Sequence, residues 1–196
     1  FKSLVAINIE TGEEKTFTKK MCQFGYRDSV FKNEEKNKWV IASVKFVLQK
    51  NPTVNIAYGV IEKTLESLDI KNPTIKDARN AIIKIRTEKL PDPKVIGNSG
   101  SFFKNPIVSV EKLEKIQKEY PNMPFYKISD TAAKIPAGWM IDTLGLKGES
   151  FGSVGVHPNQ ALVIINYDEA SAADILKLAE RIRRSVLKKF DIRLEH

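Results

Sequence analysis

The stretch Lys89–Pro106, KLPDPKVIGNSGSFFKNP, concentrates residue types that could do chemistry. Gly97 and Gly100 let a backbone approach a ligand closely. Asn98, Ser99, Ser101 and Asn105 supply neutral donors and acceptors, and Lys104 adds a cation beside two phenylalanines. Glycine-rich loops of this kind bind phosphate through successive backbone N–H groups. The same composition also suits a tight turn feeding a short strand, and both readings stand at this level. Arg86 and Lys89 lie three apart, on one face at the end of a helical stretch. They either complement the helix dipole or reach forward to a ligand in the glycine loop. Arginine is suited to the second task, because its planar fork grips a carboxylate or phosphate through two parallel hydrogen bonds. A further constellation, Tyr26-Arg27-Asp28, sets an aromatic ring beside a charged pair. It reads as a surface ion pair of little worth, or as an arginine presented into a cleft.

The elements that must position these groups follow from periodicity. Leu4–Asn8, the turn Glu10-Thr11-Gly12 and the alternation around Thr16–Thr18 predict a β-hairpin. Trp39–Leu48 predicts the strongest strand, with Val40, Ala42, Val44, Phe46 and Leu48 on one face. Phe24–Lys32 between them reads as loop or a short helical turn. Thr74 with Asp77 three residues later is a capping-box signature, and Ile75, Ala78, Ile82 and Ile85 form a stripe behind it. That helix should stop before Leu90-Pro91, because proline cannot continue it. Helices are also expected over Val110–Tyr120, Gly138–Leu144 and Ser171–Lys189, the last capped by Ser171 with Asp174. A strand is expected over Ala161–Tyr167. The class is therefore α+β, β-rich to about residue 70, with Asp69–Pro73 as the best boundary between residues 1–72 and 73–196.

Composition narrows the function classes. At 42% hydrophobic and 29% charged residues, the chain has the make-up of an ordinary soluble domain. No apolar run approaches the ~20 residues of a membrane helix. Cys22 stands alone, and His157 and His196 are too few for a zinc site, so neither disulfides nor a metal centre is expected. A reducing compartment, most simply the cytoplasm, fits this cysteine usage. The net charge of +8 points to an anionic partner. Part of it lies in Arg181, Arg183, Arg184, Lys188 and Lys189, where cations near a helix end complement its dipole. That cluster lacks interleaved aromatics or a recognition motif, which argues against nucleic acid.

GYRDSVFK (Gly25–Lys32) and Lys89–Pro106 resemble the signature segments of the UDP-N-acetylenolpyruvoylglucosamine reductase family. IPAGWMID (Ile135–Asp142), LKG (Leu146–Gly148), GVHPNQALVIIN (Gly155–Asn166) and FDIRLE (Phe190–Glu195) follow in the family's order. The resemblance implies a flavin-binding β-rich part over 1–72 and a substrate-binding α+β part over 73–196. It implies that FAD, reduced by NADPH, passes a hydride to UDP-N-acetylglucosamine enolpyruvate, in a monomeric enzyme of peptidoglycan precursor synthesis. Ser101 matches the family's proton donor and Arg27 its catalytic arginine. Lys89, Asn105 and Gln160 match substrate contacts, as does Tyr58 in the short string AYG. Tyr26 and Arg86 are the implied cofactor contacts. Two departures accompany the match. The family's phosphate-cradling flavin loop has no counterpart here, and its catalytic glutamate within a hydrophobic-Glu-x-Glu pattern falls one residue beyond Leu194-Glu195-His196. That role is not assigned to Glu195. A chain starting at Phe1 is expected to be a fragment, inactive by itself. The alternative is a non-catalytic UDP-sugar-binding module.

Overall fold

A computed structural model describes residues 1–57 and 60–196, and divides them into two compact units, Phe1–Thr53 and Val54–His196. Tyr58 lies outside the described residues. The first unit is built on the expected hairpin of β1 (Ser3–Asn8) and β2 (Glu14–Thr18). Its turn forms because the Asn8 side-chain oxygen accepts from the Glu10 and Thr11 amides at 2.9 and 3.0 Å, while Gly12 takes a positive φ of 73°. A four-residue helix, α1 (Lys19–Cys22), and a 3-10 turn at Val30–Lys32 lead to β3 (Trp39–Lys45), which pairs antiparallel with β1.

The structure corrects the expected one-faced strand at Trp39–Leu48. Val5 pairs with Ser43 but Ala6 pairs with Ile41, so Ala42 is the extra residue of a β-bulge. The bulge shifts the alternation: Trp39, Ile41 and Val44 share the face of Leu4 and Ala6, and Val40 turns to the other side. β3 also stops at Lys45, leaving Phe46, Val47 and Leu48 exposed. The core of this unit is small. Leu4, Ala6, Phe17 and Cys22 are buried, with Phe31 and Trp39 edge-on to Phe17 at 5.0 and 5.1 Å.

In the second unit, α2 (Ile61–Ser67) and α3 (Ile75–Lys89) pack through Ile61, Leu65 and Ala81. α2 departs from the β-rich expectation for this region; Ile61 and Leu65, four apart, carried its helical signal. The turn at Asp69–Pro73 joins these two packed helices inside the second unit. Thr74 and Asp77 form the expected capping box, but the buried face is Ala78 and Ala81. Ile75 and Ile82 point to solvent.

The larger core lies beyond. One antiparallel sheet has the order β4 (Gly97–Ser101), β10 (Val163–Asn166), β9 (Val154–Val156), β8 (Ser150–Phe151). Another has the order β5 (Ile107–Ser109), β7 (Ala132–Lys134), β6 (Tyr126–Lys127). Helices α4 (Val110–Glu119), α5 (Ala137–Thr143) and α6 (Ala172–Phe190) add Leu113, Ile116, Met140, Ile141, Leu178, Ile182 and Val186 to this core. After α6 the chain runs on with Ile192 and Leu194 buried and Arg193 between them exposed. Among the described residues no helix is long and apolar enough to cross a membrane.

α6 is held at its start by the expected capping box between Ser171 and Asp174. Hydrogen bonding from the Ser171 side chain, first of all, holds the Asp174 carboxyl below its ordinary value of 3.8. The folded state therefore binds fewer protons there. The contribution is present above the ordinary value and is lost as pH falls through the lower folded one. Ser171→Ala should cost about 1 kcal/mol in urea denaturation at neutral pH. The gap between wild type and Asp174→Asn, measured the same way, should narrow as the pH falls through the acid range.

Candidate functional site

Ser101 closes β4, and its position is set by a bulge. Asn98 pairs with Ile165 and Ser101 with Val163, so Ser99 and Gly100 together oppose the single residue Ile164. Gly100 has φ of 61°, a conformation that residues with a Cβ rarely adopt, although an added Cβ would meet nothing within 4 Å. Glycine is required here by backbone shape and not by space. The Asn98 side-chain oxygen accepts from the Gly100 amide at 3.0 Å and fixes that turn locally. Beyond it the Phe102 amide donates to Leu162 at 2.9 Å, and Phe103 is buried in the main core at 1% exposure. Ser101 is thus fixed on both sides in sequence while its own side chain faces solvent. Among the described residues its hydroxyl has no hydrogen-bond partner.

Asn105 and Gln160 both lead to the first turn of α5. That helix begins after Pro136, which cannot cap it with a side chain. The Asn105 side-chain oxygen does so from a distance, accepting from the Ala137 amide at 2.9 Å. Because the Ala137 nitrogen is a donor, the atom facing it must be the amide oxygen, and the Asn105 NH2 is turned elsewhere. At the next residue, a Cβ added to Gly138 would lie 3.4 Å from the Leu162 side chain and 3.7 Å from the Gln160 amide oxygen. Gly138 therefore lets this turn lie close to the loop before β10. Contacts run from Ser101 to Val163, from Phe102 to Leu162, from Gln160 to Gly138 and from Ala137 to Asn105. The structure brings these three sequence-predicted residues onto one linked set of segments.

The loop carrying Gln160 is pinned by His157. Its backbone amide donates to Val163 at 2.9 Å, and its Nδ1 accepts from the Asn159 amide at 3.2 Å. Partial burial lowers the His157 pKa, which favours the neutral ring that this acceptance requires. Lys104, which the sequence reading noted only as a loop cation, donates its backbone amide to the Glu195 carbonyl at 2.8 Å. Its ammonium meets the Glu195 carboxylate at 3.2 Å. No local spacing connects two residues so far apart in the chain.

Lys89 and Arg86 occupy the exposed last turn of α3, where they complement the helix dipole. Among the described residues neither forms an ion pair, and no hydrogen bond joins them to Ser101, Asn105 or Gln160. The basic cluster on α6 is largely engaged. Arg183 and Arg184 pair with Glu180, Lys189 pairs with Glu119 at 2.6 Å, and Arg181 lies over the Phe151 ring at 4.2 Å.

In the first unit, Tyr26 and Arg27 form the tip of a tight turn, closed by backbone hydrogen bonds between Gly25 and Asp28. Arg27 has φ of 52°, a strained choice for a residue with a long side chain. Among the described residues Arg27 and Asp28 do not form the surface ion pair considered for them. Asp28 instead accepts from the Ser29 amide at 2.8 Å and the Asn33 side chain at 3.1 Å. Lys32 donates to the Arg27 carbonyl at 3.0 Å, so the backbone is braced while the guanidinium stays exposed. Tyr26 is 43% exposed beside it.

The comparisons with known proteins agree with one another. A family model described as UDP-N-acetylenolpyruvoylglucosamine reductase, C-terminal domain, matches residues 92–196. A protein named UDP-N-acetylenolpyruvoylglucosamine reductase from Flavobacterium johnsoniae is 50% identical over 196 residues, which are 100% of this chain and 58% of that protein. Proteins of the same name from Pseudomonas syringae pv. tomato and Bacteroides fragilis are 43% and 46% identical. They cover 100% and 95% of this chain and 57% and 55% of their own length. The chain thus spans somewhat over half the length of these curated relatives. The solved UDP-N-acetylenolpyruvylglucosamine reductase of Thermus caldophilus has a TM-score of 0.56 at 20% identity, covering 98% of this chain and 50% of that one. At that identity the likeness concerns the fold, and it agrees with the α+β class.

The cap on α5 can be tested by itself. Asn105→Ala removes the side-chain acceptor of the Ala137 amide and should cost about 1–2 kcal/mol in chemical denaturation. Asn105→Asp keeps an acceptor oxygen and should stay close to wild type.

Proposed function

We propose that this chain, which belongs to the UDP-N-acetylenolpyruvoylglucosamine reductase family, carries the proton donor and part of the substrate site of that enzyme. The full-length protein then reduces UDP-N-acetylglucosamine enolpyruvate to UDP-N-acetylmuramate with NADPH through FAD, in peptidoglycan precursor synthesis. It works in the cytoplasm as a monomer whose partners are small anionic ligands. Residues 1–72 belong to its flavin domain and residues 73–196 to its substrate domain. The observation that carries the reading is the linked set of contacts around the start of α5, which gathers Ser101, Asn105 and Gln160 in a chain that also matches the family.

Reduced flavin supplies the hydride when bound, and the residues of this chain act on the substrate. Addition of hydride to the enolpyruvyl group leaves a carbanion or enol-like centre beside the substrate carboxylate. A serine hydroxyl is a very weak acid, so it can donate only to such a strongly basic centre, and only within hydrogen-bond reach. The exposed, unpartnered hydroxyl of Ser101 on a fixed backbone suits that task. Its proton goes to the substrate carbon. Arg27 supplies fixed positive charge for the negative charge that develops before that transfer. Its strained, braced backbone supports a role of this kind. Lys89, Asn105, Gln160 and Tyr58 contact the UDP-sugar, with the Asn105 NH2 as donor because its oxygen is committed to Ala137. The net charge of +8 raises the local concentration of ligands bearing phosphates and carboxylates.

The residues present fit a flavin in part. Tyr26 and Arg27 on their exposed turn, and the exposed rings of Phe24 and Phe46, offer aromatic faces and a cation of the kind a flavin ring takes up. Arg86 is a further cation for the cofactor. The glycines of the first unit are Gly12, in the hairpin turn, and Gly25, so among its described residues no glycine-rich loop is available to cradle a diphosphate. The alternative reading, a UDP-sugar-binding module without catalysis, makes a different prediction for the isolated chain. It would show calorimetric binding of UDP-sugar and no flavin absorbance on purification.

Replacing Ser101 tests the leading reading. In the full-length protein, Ser101→Ala should abolish enolpyruvyl reduction, while stopped-flow absorbance still records reduction of the flavin by NADPH. Loss of both half-reactions together would contradict the proton-donor role.

A further inference from the structure

We infer that Lys104 is a positioning residue for Ser101, acting through Glu195; the inference rests on the reading of Ser101 as proton donor. Four sets of contacts hold the segment after the Gly100 bulge. On one side β10 takes the Ser101 backbone and the Phe102 amide. Below, Phe103 is anchored in the core, and at the far end Asn105 caps α5. On the remaining side stands the extended stretch after α6, whose Ile192 and Leu194 are buried in the same core as Phe103. Lys104 joins that stretch twice to the same residue, through its backbone amide to the Glu195 carbonyl at 2.8 Å and through its ammonium to the Glu195 carboxylate at 3.2 Å. The next ring, His196, lies on Phe102 with centroids 5.8 Å apart. The residue that directly follows Ser101 is thus backed by a stretch that the Lys104–Glu195 pair keeps in place.

The energetics separate positioning from stability. The Glu195 side chain is 72% exposed and that of Lys104 26%, so the ion pair adds little to folding. Burial of Phe103, Ile192 and Leu194 holds the two segments together at large. The pair fixes their register, which matters most to a weak acid that must meet its acceptor within hydrogen-bond reach. Misplacement of a reacting group by about 1 Å costs on the order of 100-fold in rate. Lys104 therefore acts on the proton-transfer half of the reaction and leaves reduction of the flavin alone.

The test uses Lys104→Met, Lys104→Arg, Glu195→Ala and Glu195→Gln in the full-length protein. Three readouts apply: the two half-reactions, hydrogen exchange at the Phe102 to Lys104 amides, and the melting temperature. Lys104→Met and Glu195→Ala should each slow enolpyruvyl reduction by roughly 10- to 100-fold. Both should speed exchange at those amides, with flavin reduction by NADPH and the melting temperature nearly unchanged. Lys104→Arg should restore most of the rate. A loss with Lys104→Met but not with Glu195→Ala would overturn the inference, because Lys104 would then be acting on the anionic substrate directly. So would wild-type rates in both, or a rate loss matched by a fall in melting temperature that Glu195→Gln also shows. A wild-type protein unable to reduce the enolpyruvyl sugar would instead count against the proposed function itself.

Discussion

Antiparallel pairing of β4 with β10 across the Gly100 bulge is the constraint on which the candidate site depends. A regular ladder from Asn98 to Ser101 would change the face on which Ser101 emerges, because side chains alternate along a strand. The extra residue resets that alternation. Ser101 faces solvent, and two residues later Phe103 enters the core. Everything else at the site is fastened to those two strands. Leu162 and Val163 hold the backbone after the bulge, the loop before them carries Gln160, and Gly138 admits the first turn of α5 against Leu162. Asn105 closes the circuit by capping that same turn.

The two units solve the problem of presenting a polar group differently. In Val54–His196 a core of some size, from Phe103 through Ile164 to Leu194, makes the backbone rigid, and polar side chains are added at its edge. In Phe1–Thr53 the core cluster is Leu4, Ala6, Phe17 and Cys22, with two aromatic rings packed on it. There a short tight turn, closed by Gly25 and Asp28 and braced by Lys32, presents Arg27 in a strained conformation. A burial-driven scaffold fixes the backbone at Ser101, whereas Arg27 is a long, flexible side chain reaching from a braced turn.

Local chemistry was legible in the sequence, and long-range chemistry was not. The capping boxes of Thr74 with Asp77 and Ser171 with Asp174 depend on spacings of three residues, so they could be read directly. The hairpin turn after Asn8 could be read in the same way. The face of β3 could not, because one bulged residue, Ala42, inverts a pattern that looks regular in one dimension. Of the expected stripe on α3, Ala78 is buried and Ile85 packs on the cluster, while Ile75 and Ile82 are exposed and Ala81 takes the close contact with α2. Ser101, Asn105 and Gln160 were singled out through family resemblance. What joins them, through Ala137, Gly138, Leu162 and Glu195, connects residues tens of positions apart and leaves no local periodicity to detect.

The central claim is that ligand binds where β4, the loop before β10 and the start of α5 meet. An amide correlation spectrum of the full-length protein, titrated with UDP-N-acetylglucosamine enolpyruvate, tests it most directly. The account predicts that the largest shifts fall on Gly100 to Asn105, Ala137, Gly138 and Gln160, with the outer face of α6 unmoved. Shifts centred on the Arg181–Lys189 surface, with the Ser101 turn unmoved, would contradict it.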